Sequence, residues 1–362
     1  MCMTTSPLPQ TQSRSGRIRF HFFGQRWGKR LGKAGLVALV CLIATLWGFW
    51  GWSVVRERED PHRSAPPSGA FVESDDGVMV FYQTRAEPTN PAVLLLHGTE
   101  VWSASWGLLL DDLAEEGLFV VAPDLPPFGF STKLKDPHSY TPEAQVRRIY
   151  ALLTHLGVRR VHLVAHSAGA PVALAFARAY PQQAQSLTLI APAIGLLPND
   201  PFVVDETART SSPFLRVVFG WDQLRDVLVA AVGTNPWLTR LLFARLVADP
   251  ASITEKDIAL VQRQFTLAQF TPAFASWLEQ LLLLQTPADN ALLDYLDATG
   301  IPILFVWGTK DPLTPFAQAL WLRERLSRAT LVTIPDVGHI PQLEAYAQVR
   351  DAVAQFVRKQ AS

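Results

Sequence analysis

Three side chains that can together activate a hydroxyl group lie far apart in this chain, each just after a short apolar run: Ser167, Asp311 and His339. Ser167 is the centre of Ala165-His166-Ser167-Ala168-Gly169, which follows the run VHLV and precedes an Ala-rich segment. A serine on so sharp a strand-to-helix turn needs small residues two positions away on each side, because larger ones would collide with the backbone. Ala165 and Gly169 meet that need. Asp311 follows ILFVW, and His339 follows LVTI within Asp336-Val337-Gly338-His339. A serine hydroxyl is a weak nucleophile until a base takes its proton. An imidazole can take it near neutral pH, and a carboxylate fixes the imidazole tautomer and stabilises the imidazolium. Singly, Asp311 reads equally well as a turn residue and His339 as a surface histidine. The order Ser, Asp, His after successive strands favours a nucleophile, an orienting acid and a base.

A fourth segment, His97-Gly98-Thr99-Glu100, follows the run AVLLL. A loop there can aim the Thr99 N–H at a developing oxyanion, and the Ala168 N–H at the helix start can supply a second donor. Each such donor stabilises a transition state by about 3 kcal/mol. His97 itself reads as structural.

The elements that must position these residues alternate in type. Candidate strands are 70–74, 78–84, 92–96, 119–122, 161–165, 186–190, 303–307 and 330–334. The central ones are continuously apolar, as parallel strands covered on both faces are. The first two fit an antiparallel edge pair turning at Asp75-Asp76-Gly77. Thr141-Pro142 reads as a helix start, with a capping side chain and then proline at the first helical position. Asp311 and His339 thus fall at carboxyl ends of strands, where open α/β sheets place ligand sites. From 194 to 299 the strand pattern vanishes and helical stretches replace it: 213–231, 236–248, 255–266 and 272–284, with Ser212, Thr254 and Thr271 as expected caps. The expected organisation is a three-layer α/β core over 70–193 and 300–362 with a helical cap at 194–299.

The motifs LLLHG, APDLPPFGFS, VAHSAGA, VWGTKDPLTP and IPDVGH resemble those of the α/β-hydrolase superfamily across residues 70–362. The resemblance implies a mostly parallel eight-stranded sheet with helices on both faces and a helical cap after the sixth strand. It implies Ser167 as nucleophile, His339 as base, Asp311 as the orienting acid, and oxyanion donors at Thr99 and Ala168. It also implies a serine hydrolase of the carboxylesterase or lipase type. Hydrolysis of a C–C bond in a diketone, or slow-turnover ligand binding and signalling, are alternatives that the same residues allow. A peroxidase-like activity is a minor one. Ser167 stands where relatives acting on haloalkanes or epoxides carry Asp. Three positions depart from the usual pattern: Ala165 for Gly, Pro127 in a loop that often holds Gly, and Glu100, whose charge would oppose an oxyanion unless it points away.

The 362 residues are 49% hydrophobic and 18% charged, which excludes a disordered chain. Basic and acidic residues number 32 each, but seven basic and no acidic ones fall within 1–33. The remainder has a net charge of −7, which argues against nucleic-acid binding. Residues 34–55 carry no charge. A helix of that length spans about 33 Å, enough for a bilayer core. The basic tail 1–33 before it, and the mixed charges of the polar linker 56–69 after it, put the amino terminus in the cytoplasm and the body outside a cell membrane. Cys2 and Cys41 allow no disulfide framework in the body. No histidine pair has metal-ligand spacing and no phosphate or dinucleotide loop occurs, so neither cofactor nor metal is implied. The cap holds ten Phe and Trp residues. These read first as packing, and second as the wall of an apolar pocket for a hydrophobic or lipid-like ester. Activity is expected to fall below about pH 6, where the base would be protonated.

Overall fold

The computed structural model describes residues 24–88, 91–194, 213–284, 290–326 and 328–361. The chain divides into two units, Met1–Thr45 and Leu46–Ser362. A single helix, α1, runs Gly24–Arg56. It begins well before the uncharged run because Arg and Lys are good helix formers. Within it, Gly35–Arg56 is long and apolar enough to cross a membrane, by length and composition.

The body is built on an eight-stranded sheet of order β1-β2-β4-β3-β5-β6-β7-β8. The strands are β1 Gly69–Glu73, β2 Met79–Arg85, β3 Ala92–Leu96, β4 Phe119–Pro123, β5 Val161–His166, β6 Ala184–Ile190, β7 Ile303–Gly308 and β8 Thr330–Ile334. β1 and β2 form the expected antiparallel edge hairpin, closed by the Gly77 N–H donating to the Ser74 carbonyl, and β2 also pairs antiparallel with β4. The other pairs are parallel. All five side chains of β3 are buried. Leu94 and Leu96 pack on one face against helices α3 (Pro142–His155) and α4 (Ala170–Ala179), whereas Val93 and Leu95 pack on the other against α2 (Leu108–Glu115) and the carboxy-terminal helix. This two-sided burial explains why the strand sequence is continuously apolar rather than alternating. The Thr141 hydroxyl caps α3 by accepting from the Ala144 N–H.

Helices follow β6: α5 Pro213–Phe219, α6 Asp222–Ala231, α7 Pro236–Phe243, α8 Glu255–Arg263, α9 Phe270–Glu279 and α10 Asn290–Thr299. The expected helix 213–231 is broken at Gly220-Trp221, glycine being a poor helix former. Thr254 caps α8, as expected, and the Asp257 side chain completes a capping box with it. Thr271 does not cap: α9 starts earlier, at Phe270 after Gln269 in a left-handed conformation, and the buried Thr271 hydroxyl bonds to Glu57. Ser212 and Phe202 lie outside the described residues. Beyond β7, helix α11 (Phe316–Arg325) precedes β8, and α12 (Tyr346–Ala361) closes the body.

The polar segment after α1 is docked on the helices that follow β6. Glu59 forms a bridge with Leu267, its N–H donating to the Thr266 carbonyl and its carbonyl accepting from Ala268. Arg263 pairs with the Glu59 carboxylate at 2.8 Å. Backbone pairing of this kind leaves a Pro-rich stretch little freedom to act as a loose tether.

Candidate active site

β5 ends at His166, and the chain turns at Ser167 with φ = +49°, in the left-handed region, before entering α4. The turn is held by steric exclusion. A methyl group at Gly169 would lie 2.6 Å from the Leu96 carbonyl oxygen, and one at Gly98 would lie 2.8 Å from His166 Nδ1 and 3.2 Å from Ser167 Cβ. Glycine at both positions lets the loop after β3 close onto the serine. Ala165, one methyl group larger than the usual Gly, is accommodated in the buried core.

The structure brings the three widely separated residues into one hydrogen-bonded line. The Ser167 hydroxyl donates to His339 Nε2 at 2.8 Å. His339 Nδ1–H donates to Asp311 Oδ2 at 2.9 Å and Oδ1 at 3.1 Å. All three side chains are buried. Asp311 also accepts from the Leu313 and Thr314 N–H groups and from the Thr314 hydroxyl. Burial alone would raise the Asp311 carboxyl. The His339 ring and the Thr314 donors outweigh it and hold the group below its ordinary value, so it is ionised and the ring proton sits on Nδ1. The geometry suits proton transfer from Ser167 to His339.

Four further residues set this line in place, and sequence reasoning did not single them out. His166 Nε2–H donates to the His339 carbonyl at 2.9 Å. Burial, and secondly the His339 ring beside it, push the His166 imidazole down to about 3, so it stays neutral. Thr314 supports Asp311. A methyl group at Gly338 would strike the Leu246 carbonyl oxygen at 2.6 Å, and the His339 N–H donates to that same carbonyl at 2.7 Å. Glu344 accepts from Gly338 N–H at 2.8 Å with one oxygen, and from Ala248 N–H at 2.7 Å and Asp249 N–H at 3.2 Å with the other. The loop bearing His339 is thereby fastened to the segment after α7. The spacing of Glu344 five residues beyond His339 is the one sequence signal for it, and it is generic.

His97 plays the structural part expected of it. Its Nε2 accepts from the Leu125 N–H and its Nδ1–H donates to the Gly98 carbonyl, both at 2.8 Å, and burial pushes it down to about 4. Thr99 and Ala168, which follow Gly98 and Ser167 in the chain, are half-buried. Glu100 has φ = +58° and its carbonyl accepts from Gln264. Part of the residue reaches solvent, yet burial pushes its carboxyl up to about 8. A carboxyl raised in this way is mostly protonated at neutral pH, which lessens the charge that would oppose an anion beside Thr99. A cleft with about 20 Å³ of room for solvent, enough for about one water, opens beside Ala168. Its walls include Gly98, Phe128, Gln145, Trp277 and Leu281. Among the described residues no cluster of His, Cys, Asp or Glu could hold a metal ion.

The sequence profile described as alpha/beta hydrolase fold matches residues 91–346. The chain belongs to the α/β-hydrolase fold family. This α/β-hydrolase is 28% identical to the dihydrolipoyllysine-residue acetyltransferase component of the acetoin cleaving system of Pseudomonas putida, over 81% of this chain and 70% of that protein. Among solved structures it is similar to a thermophilic esterase from Thermogutta terrifontis, with 22% identity, a TM-score of 0.63, and coverage of 81% of this chain and 99% of that one. It is also similar to a membrane phospholipase A described as a bacterial virulence factor, with 23% identity, a TM-score of 0.65, and coverage of 91% of this chain and 99% of that one. These solved structures share the hydrolase fold with it.

Proposed function

We propose that this α/β-hydrolase is a membrane-anchored serine hydrolase that cleaves a hydrophobic carboxylic ester. The observation that carries the proposal is the line Ser167 Oγ, His339, Asp311, with donor-acceptor distances of 2.8 and 2.9 Å in a buried setting. His339 takes the Ser167 proton as the oxygen attacks the ester carbonyl. Asp311 holds the ring orientation and offsets the imidazolium charge. The Thr99 and Ala168 N–H groups receive the oxyanion. His339 returns the proton to the departing alcohol, leaving an acyl group on Ser167. A water, deprotonated by the same imidazole, then releases the acid.

The carbon-rich walls of the cleft, Phe128, Trp277 and Leu281, support an apolar substrate, for which the cleft must widen beyond its room for about one water. Among the eight of the Phe and Trp side chains in 194–299 that are described, six are buried, so most serve as packing, and of those eight Trp277 lines the cleft. We assign residues 34–55 as the anchor, with the basic tail cytoplasmic and the body on the other side, from the charge asymmetry of the flanks. The likeness to a solved structure described as a membrane phospholipase A supports a membrane setting, though not the side on which the body lies. Residues 194–299 are assigned as the cap and the two flanking stretches as the core.

The test is a panel of acyl esters and a diketone assayed with wild type and Ser167→Ala, together with fluorophosphonate labelling. Wild type should turn over apolar esters and take the label, and the variant should retain less than about a thousandth of the rate. Residual activity above that level, or turnover of the diketone alone, would overturn the assignment.

A further inference from the structure

Trp237, the second residue of α7, is 73% exposed, and Leu241 on the same face one turn later is 53% exposed. Val232, just before them, is 49% exposed. Large apolar side chains grouped in this way on a water-soluble surface mark a site that meets something apolar. What they adjoin shows which partner fits. Trp237 stacks on Trp52, with ring centroids 5.1 Å apart and planes 17° apart, and meets Phe49 edge-on at 5.8 Å. Arg56 donates to the Thr234 carbonyl at 2.9 Å and the Phe265 carbonyl at 2.7 Å, and its guanidinium covers the Trp52 ring. The last two turns of α1 are therefore fixed against the start of α7.

The length of an anchor now decides the depth of Trp237. Crossing a hydrocarbon core of about 30 Å takes about 20 helical residues. Lys33 is the last charge before the apolar run. Counted from there, the span must include residues up to about Ser53, and any tilt demands more. Phe49 and Trp52 then belong to the outermost turn in lipid, and a ring stacked on Trp52 shares that depth. We infer that the α7 face of Trp237 and Leu241, with Val232 at the end of α6, is inserted in the outer interface of the bilayer, a second lipid contact beside the helix. The inference rests on the anchor assignment made above. Tryptophan is the side chain that favours this depth.

The experiment uses the full chain with Cys2→Ser and Cys41→Ser, reconstituted in vesicles of phosphatidylcholine and phosphatidylglycerol. Single cysteines introduced by Trp237→Cys, Leu241→Cys, Leu39→Cys or Leu108→Cys each carry an environment-sensitive fluorophore. The expected result is quenching of the 237 and 241 labels by lipids spin-labelled near the headgroup, of the 39 label by lipids spin-labelled deep in the chain, and of the 108 label only from water. A deep 39 label with 237 and 241 quenched from water overturns the inference and leaves the anchor intact. Labels at 237 and 241 shielded from both quenchers point to a covering protein, such as a second copy, and also overturn it. A 39 label that never meets the deep quencher overturns the anchor and the inference together. As a second measurement, Trp237→Asp with Leu241→Asp should lower kcat/KM for an ester dispersed in the bilayer by about tenfold, with an unchanged rate on a water-soluble ester. Equal rates on both substrates, relative to wild type, would refute the insertion.

Discussion

Glu57 offers a quantitative test of how the segment after α1 is held. Its side chain is 5% exposed. Its carboxylate accepts from the Thr271 N–H at 3.1 Å and bonds to the Thr271 hydroxyl, with Arg56 Nη2 4.0 Å away. Burial is the strongest influence and pushes the carboxyl from 4.5 up to about 7, against the opposing pull of Thr271 and Arg56. The folded protein therefore binds this proton more tightly than the unfolded chain. Stability is greatest below about pH 4.5, falls as pH rises toward about 7, and is level above that. A rise from 4.5 to about 7 corresponds to about 3 kcal/mol. Glu57→Gln keeps an acceptor for Thr271 and removes the charge. It should match wild type at pH 4 and exceed it by up to about 3 kcal/mol at pH 8, a gain of several degrees in Tm. The assay is thermal unfolding of both proteins in the same detergent across pH 4 to 9, with the difference in Tm plotted against pH. Parallel curves for the two proteins, or a variant less stable than wild type at pH 8, would refute the reasoning that burial dominates this carboxyl.

Three other outcomes follow from the site. Glu344→Ala leaves three backbone N–H groups without their partner, so it should cost about 1–3 kcal/mol of stability and lower kcat more than it alters KM. An unchanged kcat would show that the His339 loop does not depend on it. Glu100→Gln should leave activity at pH 7 nearly unchanged but remove a loss of rate in wild type as pH rises through about 8, where the Glu100 carboxyl becomes charged beside the proposed oxyanion donors. Identical alkaline limbs in the two pH profiles would exclude that effect. Gly98→Ala forces a methyl group to within 2.8 Å of His166 Nδ1, so fluorophosphonate labelling of Ser167 should slow by about tenfold or more, and an unaltered labelling rate would show that the loop yields freely.

Much of the fold is legible from local pattern. Ile303–Trp307 and Ala92–Leu96 are apolar at every position because each is covered on both faces, and their boundaries follow from that. The capping box at Thr254 and the proline start at Pro142 are equally local, since the groups that satisfy each other lie within three residues. Thr271 shows the limit of such reading. As a hydroxyl before a proline it has the local features of a cap, but its partners are Glu57 and Thr234, which are remote in sequence. Glu344 and His166 escape notice for the same reason. Nothing in the residues beside them says that one will hold Gly338 to Ala248 or that the other will hold the His339 carbonyl.

The amino-acid sequence by itself determined the strand and helix periodicities, the uncharged run at 34–55, and the choice of Ser167, Asp311 and His339, because each depends on residue type and near neighbours. Tertiary structure alone decided that these three side chains meet within 3 Å contacts, that burial raises the Glu100 carboxyl, and that Trp237 is exposed while Trp277 is buried. The physical reason is that distance, desolvation and exposure are properties of what surrounds an atom, and those surroundings are contributed by chain segments hundreds of residues away.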